Sequence, residues 1–258
     1  MILISYSTVQ STMDCARDLL SSETQLQSSG AVKAVVLAQR QLAGRGQRGR
    51  VWDSPGNGNL YATALMTWPQ LNESTAPIIG LLAGAAAADC ICEVHLRCGG
   101  HTSALANLGL KWPNDIVIGQ LKTAGVLTEV YRTPRDTCFV AVGFGANLTS
   151  LPEAVDIAGR STSLLANEIR HLAPAEQVLW FARSLNRLVR QCEQFGIAAI
   201  IRRWTRWDAS IGRRYTAQSS AGMVTGVANG LGPSGELSLL LDNGSTLLVT
   251  SASSLTSD

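Results

Sequence analysis

The chain has 258 residues, of which 46% are hydrophobic and 16% charged, and its formal net charge is +2. This composition argues against disorder and against a collagen-like repeat, and the length fits one large domain or an ordinary domain plus a small one. A net charge this small does not indicate a nucleic-acid-binding surface, which is normally strongly basic. The sequence therefore predicts a folded globular protein without a nucleic-acid partner.

Targeting signals are not apparent. The first residues lack a basic segment followed by an apolar one, so no signal peptide is predicted. The longest apolar run, 78–88, is shorter than the roughly 20 residues of a membrane span and predicts a buried helix. The six cysteines are scattered without a disulfide pattern, which indicates reduced thiols and a cytoplasmic location.

Helical and strand patterns are mixed along the first 200 residues. Cap-type residues, apolar spacing, prolines at starts and glycines at ends indicate the helices, which are predicted over 11–22, 78–98 and 174–195. Short apolar or alternating runs indicate the strands, which are predicted over 33–38, 60–66, 110–118, 125–131 and 137–143. A glycine-rich loop, 42–58, separates the first two strands.

The pattern changes after Trp207. Short strand-like runs at 223–228, 237–241 and 246–250 are separated by turn signals such as Asp242-Asn243-Gly244. We therefore predict two domains, a mixed α+β domain of residues 1–206 and a small β domain of residues 207–258.

The glycine-rich loop contains GRGQRGR at 44–50, which formally matches a dinucleotide-binding fingerprint. That fingerprint must open directly into a helix, whereas Pro55 and the neighbouring glycines exclude one. Arg45, Arg48 and Arg50 instead alternate with glycines that let a ligand approach the backbone, an arrangement suited to phosphate or carboxylate. A solvated, charged turn is the alternative interpretation.

A second group of polar residues surrounds Pro113 in the segment KWPND, 111–115. The proline stiffens the backbone, so Lys111, Asn114 and Asp115 should project from a fixed point. A turn at 119–120 should return Lys122 to the same region, where an ammonium group could stabilise charge at a reacting phosphate. The alternative is a surface ion pair of little energetic value.

Together these segments resemble biotin protein ligases along nearly the whole chain. The shared motifs are STM at 11–13, GRGQRGRVW at 44–52, NLY at 59–61, KWPND at 111–115, LKTAG at 121–125 and VGFGAN at 142–147. The resemblance implies a class II aminoacyl-tRNA synthetase-like catalytic domain, with a mixed sheet and helices on one side, and a small C-terminal SH3-like barrel.

The resemblance also implies a reaction in two steps, with ATP and biotin as substrates and Mg²⁺ as the metal. Biotin is first activated to biotinyl-5'-AMP with release of pyrophosphate. The biotinyl group then passes to a lysine of a biotin carboxyl carrier protein, with release of AMP. A homodimer is a further expectation, because main-domain strands could pair between subunits.

The site residues follow from the resemblance position by position. The expected biotin-binding residues are Ser11, Thr12, Gln41, Gly44, Arg45, Lys122, Gly125 and Gly143. The expected ATP or adenylate-binding residues are Arg48, Arg50, Trp52, Lys111, Asn114 and Asn147. The expected catalytic residues are Lys122, Arg45 and Asp115, and Asp115 is also the expected ligand of Mg²⁺.

The loop and the tail each depart from the family pattern. Gln47 stands where many relatives have an arginine that is associated with retaining the adenylate, and Ala252 and Thr256 replace charged residues in the tail. The STM motif lies within a dozen residues of the first residue, so no DNA-binding domain and no repressor function are expected.

Three other interpretations compete with this one. A lipoate or octanoate ligase would share the fold and the adenylation step, and a non-catalytic adenylate-binding protein would share the site without turnover. A zinc site at Cys90, Cys92, His95 and Cys98 is disfavoured, because residues two apart on a helix point to nearly opposite sides. His95 is expected to face solvent.

Overall fold

The computed structural model describes residues 1–21, 26, 28–55, 58–68, 76–100, 102–148, 173–219 and 222–254. The main sheet has seven strands in the order β1-β2-β3-β7-β6-β5-β4, with β1 and β2 parallel and all other neighbours antiparallel. The strands are β1 (Ile2–Val9), β2 (Val32–Gln41), β3 (Leu60–Thr67), β4 (Leu108–Lys111), β5 (Asp115–Ile118), β6 (Leu121–Arg132) and β7 (Cys138–Ala146). This is the mixed sheet that the resemblance implies.

A layer of helices covers one face of the main sheet. They are α2 (Ala76–Arg97), α3 (Pro174–Phe195) and α4 (Ala198–Thr205), and their apolar residues form one core cluster with the sheet. The short helix α1 (Thr12–Asp18) packs on the opposite face, where Met13 joins a second cluster with residues of β2, β3 and β7. The two faces are therefore different: a thick helical layer on one, and α1 with the glycine-rich loop on the other.

Helix α2 is the central helix of the core. It is long and apolar enough to cross a membrane, but 83% of its most apolar window is buried inside the protein. The sequence-based expectation for His95 is wrong: its side chain is fully buried, because the ring packs directly against Gly100 after the helix end. All six cysteines are free thiols.

The C-terminal residues form a separate five-stranded antiparallel sheet in the order β11-β10-β9-β8-β12. Its strands are β8 (Arg214–Ser219), β9 (Gly222–Leu231), β10 (Leu237–Leu241), β11 (Thr246–Val249) and β12 (Ala252–Ser254). This curled sheet agrees with the expected SH3-like fold, while the boundary at residue 207 stays a prediction.

Hydrogen bonds join the C-terminal segment to the KWPND corner. The Trp112 amide donates to the buried Ser210 hydroxyl at 2.7 Å, and the Trp112 indole donates to the Gly235 carbonyl at 3.1 Å. The backbone of Leu110 also pairs with residues 207–209. The two sheets therefore meet at the end of β4, beside Lys111 and Asp115.

We expect Ser210→Ala to lower the free energy of unfolding by about 1–3 kcal/mol, because the buried Trp112 amide loses its acceptor. Urea denaturation followed by circular dichroism measures the change. Ser21→Ala, which removes an exposed hydroxyl bonded to the Asp18 carbonyl, is the matched control and should change stability by less than about 0.5 kcal/mol. Equal stability of the two variants would contradict the role given to Ser210.

Candidate active site

The glycine-rich loop folds as a small hairpin on the α1 face of the sheet. The Gly46 amide donates to the Arg50 carbonyl at 2.7 Å, and the Trp52 amide donates to the Gly44 carbonyl at 2.9 Å. At the tip, Arg48 has a φ of 58°, so the backbone turns back without forming an α-helix. This geometry agrees with the rejection of a dinucleotide-binding fold and leaves the arginines on a compact loop.

The start of α1 and the end of β2 share a partly buried polar network. Ser11 caps the helix by accepting from the Met13 amide at 3.3 Å. Gln41 Oε1 accepts from the Thr12 amide at 2.9 Å and from the Thr12 hydroxyl at 3.1 Å, and Thr63 donates to that hydroxyl at 2.8 Å. Ser11, Thr12 and Gln41, three predicted biotin-pocket residues, are thus held together next to the loop.

Glycines on the neighbouring strands make room for two large side chains. A Cβ atom at Gly145 would lie 2.5 Å from the Trp52 ring, and one at Gly125 would lie 3.2 Å from it. A Cβ atom at Gly143 would lie 3.0 Å from the Met13 sulfur. Trp52 therefore lies flat against β6 and β7, and Gly143 lies beneath Met13.

Gly44 is also required by close packing. A Cβ atom at this position would lie 2.5 Å from the Trp52 carbonyl oxygen and 3.1 Å from the Gln41 amide nitrogen. A side chain would separate the two arms of the hairpin. Gly44 thus lets the loop that carries the arginines close on the end of β2.

Lys122 and Asp115 form an ion pair across the β5–β6 hairpin. The ammonium nitrogen lies 2.5 Å from Asp115 Oδ1, and it lies 5.2 Å from the centroid of the Trp52 ring. The side chains of both ionic partners are about one third exposed or less, so a ligand can reach them. The two predicted catalytic residues therefore lie beside the Trp52 ring.

Lys111 lies beside this pair in a crowded positive region. Burial lowers the pKa of Lys111, and the charges of Arg213, Lys122 and Arg50 lower it further, while Asp115 opposes them. Close positive charges destabilise one another's protonated forms, and an added anion relieves that repulsion. The corner is therefore electrostatically suited to bind a polyanion such as a phosphate chain.

The remaining predicted residues make contacts of different kinds. Arg45 donates to Asp14 at 2.8 Å, and Arg48 donates to the hydroxyls of Ser253 and Ser251 on β12 and just before it. Asn114 donates through its side chain to the Val126 carbonyl at 2.8 Å, so that amide supports the fold of the corner. Arg50 lies at the exposed end of the hairpin.

Asn147 directly follows β7, and its backbone lies beside that of Thr123 on β6. Its amide donates to the Thr123 carbonyl at 2.8 Å, and its side chain is only 2% exposed. The side-chain oxygen has no hydrogen-bond partner among the residues that the structure describes. A buried acceptor without a donor is costly, so this oxygen fits a ligand that donates a hydrogen bond.

Comparison with known proteins assigns the chain to a family. The chain matches the model of the Biotin/lipoate A/B protein ligase family over residues 5–147, which is more than half of its length and contains every residue of the predicted site. The chain belongs to this family.

Relatives within the family carry more specific names. The biotin--[acetyl-CoA-carboxylase] ligase of Paracoccus denitrificans is 33% identical over 209 residues, which are 80% of this chain and 83% of that protein. The bifunctional ligase/repressor BirA of Escherichia coli is 28% identical over 80% of this chain and 61% of its own length.

Solved structures of the family have the same fold. The Aquifex aeolicus biotin protein ligase in complex with biotin and ATP has a TM-score of 0.75 and 23% identity, with 99% of both chains covered. The Leishmania major biotin protein ligase in complex with biotinyl-5-AMP has a TM-score of 0.64 and 23% identity, again with 99% of both chains covered. The likeness extends through the C-terminal sheet.

Three residues at this candidate site were not predicted from the sequence. Gly145 supports the Trp52 ring, and Asp14 and Glu129 flank Arg45. A glycine inside a strand often marks a close approach, so Gly145 carried a usable signal. The two carboxylates carried none, because their contact with Arg45 joins α1, the loop and β6, which are distant in the sequence.

Proposed function

We propose that the chain is a biotin protein ligase, which forms biotinyl-5'-AMP from biotin and ATP and transfers the biotinyl group to a lysine of a biotin carboxyl carrier protein. The observation that carries the proposal is the Lys122–Asp115 ion pair, which lies beside the Trp52 ring and the arginine-containing loop. The family match of the chain supports the same function. The names of its relatives support biotin as the acid.

In the first step, a carboxylate oxygen of biotin attacks the α-phosphorus of ATP, and the bond to the pyrophosphate oxygen breaks. Negative charge accumulates on the phosphoryl oxygens, so cationic groups fixed around them lower the barrier. We assign this role to Lys122 and Arg45, with Arg50 and Lys111 binding the outer phosphates. Burial is the main cause of the lowered pKa of Lys111, and the nearby positive charges that lower it further support the assignment.

In the second step, the neutral amine of the acceptor lysine attacks the acyl carbon of the mixed anhydride. The carbon–oxygen bond to phosphate breaks, AMP leaves, and the nitrogen releases one proton to solvent as the amide forms. We assign stabilisation of the departing phosphate to Lys122. The transfer therefore needs no covalent bond between the biotinyl group and the protein. The same ammonium group thus serves both half-reactions.

We assign binding of the biotin ring to the network of Ser11, Thr12 and Gln41, with Gly44, Gly125 and Gly143 shaping the space around it. A ring bearing a urea group needs both donors and acceptors at fixed positions, and this network offers them in a partly buried setting. Trp52 supplies an aromatic surface for stacking. The unpaired oxygen of Asn147 is assigned to a donor on the adenine base.

Magnesium fits this site as an ion that accompanies ATP. Asp115 offers one carboxylate, and the described residues contain no group of three or more His, Cys, Asp or Glu side chains that could form a protein cage. Mg²⁺ is commonly held by one or two carboxylates together with substrate phosphates. When bound, it would neutralise phosphate charge, with Asp115 as its protein ligand.

The decisive experiment is exchange of labelled pyrophosphate into ATP in the presence of Mg²⁺, with biotin, lipoate or octanoate as the acid. Exchange with biotin alone is expected. Exchange with lipoate or octanoate instead would identify an acyl ligase of the same family, and its absence with every acid would identify a non-catalytic adenylate-binding protein. Transfer to a purified carrier domain, measured by the mass of the product, tests the second step.

The partners and the location follow from this function. A carrier domain with an exposed lysine is the acceptor, and the cytoplasm is the compartment that supplies ATP.

Self-association is expected through strand β1, an edge of the seven-stranded sheet where Ile2, Leu3 and Tyr6 are each more than a third exposed. Sedimentation velocity with and without biotin and ATP tests whether two copies pair.

A further inference from the structure

Arg45 is held between carboxylates from two separate elements. Its Nη1 atom lies 2.8 Å from Asp14 Oδ2 in the first turn of α1, and its Nη2 atom lies 3.8 Å from Glu129 Oε1 on β6. The other oxygen of Asp14 lies 3.3 Å from Arg17. The guanidinium group is thus fixed from α1 on one side and from the sheet on the other.

The carboxylates are themselves fixed. Tyr131 lies two residues after Glu129 on the same strand, and its hydroxyl donates to Glu129 Oε2. The hydrogen bond from Arg45 lowers the pKa of Asp14, and Asp14 raises the pKa of Arg45, so both groups stay ionised near neutral pH. An arginine with two such partners keeps one orientation more firmly than one with a single surface partner.

The two contacts leave much of the guanidinium group available. Arginine has five N–H donors in a planar fork, and the contact with Asp14 uses one of them while Glu129 stands beyond normal hydrogen-bond length. The loop backbone beside Arg45 is closed by its bridge with Val51. The remaining donors therefore have a direction that is set before any ligand arrives.

We propose that Asp14 is a positioning residue for adenylation and that Glu129 is a second support of Arg45. Together the two carboxylates direct the free donors of Arg45 towards the anionic centre of the reaction. This proposal rests on the proposed ligase function. Orientation fixed in advance matters most in the transition state, where charge on the phosphoryl oxygens is largest. The carboxylates therefore act on turnover more than on substrate binding.

The test compares Asp14→Asn with Asp18→Asn in biotin-dependent pyrophosphate exchange. Asp18 lies on the same helix, is largely exposed and contacts only Arg17, at 4.0 Å, among the ion pairs of the described residues. We expect Asp14→Asn to lower kcat about tenfold, with KM for biotin changed less than about threefold, and Asp18→Asn to leave both constants unchanged. Asp14→Glu should recover part of the loss.

A double-mutant cycle with Arg45→Ala separates positioning from a general structural effect. If Asp14 acts through Arg45, adding Asp14→Asn to Arg45→Ala should cause no further loss of kcat. Additive losses, unchanged activity of Asp14→Asn, or faster exchange would each overturn the proposal. Absence of exchange in the unaltered protein would instead refute the ligase function, and thermal melting of each variant verifies that the fold is intact.

Discussion

Lys122→Ala is expected to lower the rates of pyrophosphate exchange and of biotinyl transfer by roughly 100- to 1,000-fold while the protein stays folded. Removal of one preorganised charge at a reacting centre typically has an effect of this size. Lys122 is the cation nearest to Asp115, at 2.5 Å, and stands over the edge of Trp52. Its side chain is 34% exposed, so its loss leaves no large cavity.

Lys122→Arg is the informative control for this prediction. The variant keeps a positive charge that can pair with Asp115, but a planar guanidinium group cannot occupy the position of a compact ammonium group. We expect thermal stability close to that of the unaltered protein and activity close to that of Lys122→Ala. Full activity of either variant would leave Lys122 as a surface ion pair, the alternative that its sequence context left open.

The elements that were predicted correctly are those with a strong local pattern. The alanine-rich helix appears as α2, and the amphipathic helix that starts at Pro174 appears as α3. Both are long, and both begin or end with the residues that normally start or stop helices. Their sequences therefore determine their structure without much help from distant contacts.

The missed elements have weak local patterns. Strand β1 is an edge strand, and its burial does not alternate, so the two-residue period that marks a half-buried strand is absent. Helix α4 is only eight residues long and begins two residues after Gly196 has ended α3. Its Trp204 side chain is fully buried against α2, so tertiary packing supports a helix too short to be clear from sequence.

The predicted strand 110–118 is wrong as one element. The structure has two antiparallel strands, β4 and β5, and Lys111 pairs with Asp115 across the corner formed by Trp112, Pro113 and Asn114. A proline has no amide hydrogen for a ladder, so the chain turns where the prediction extended it. The antiparallel pairing of β4 and β5 places Lys111 and Asp115 side by side in the site.

Much of the candidate site could be found from motifs, but its arrangement could not. The resemblance predicts Arg45 at biotin and Arg48 at ATP. In the structure, Arg45 contacts Asp14 and Glu129, and Arg48 contacts the segment around β12. These partners are up to 205 residues away in the sequence. Side-chain direction depends on how distant elements pack, and a single sequence contains no local signal of that packing.

Gly145→Ala is expected to lower pyrophosphate exchange by about 100-fold, because the added methyl group would displace the Trp52 ring. A Cβ atom at this position would lie 2.5–2.8 Å from three atoms of the indole, closer than van der Waals contact allows. Displacement of a binding surface by about 1 Å commonly has an effect of this order on rate. Gly145 pairs with Gly125 on β6, so the ring has no free space beneath it.

Two further variants separate this steric effect from a general loss of stability. Gly80→Ala on α2 is the matched control: its nearest neighbour would be the Pro113 carbonyl at 3.8 Å, so activity should be unchanged and stability slightly raised. Trp52→Phe in the Gly145→Ala background should recover part of the lost rate, because the smaller ring relieves the overlap. Two results would contradict this role for Gly145: normal pyrophosphate exchange by Gly145→Ala, or a larger defect when Trp52→Phe is added to it. Either result would mean that Gly145 does not determine the position of the Trp52 ring. The aromatic surface assigned to the adenylate would then have to lie elsewhere.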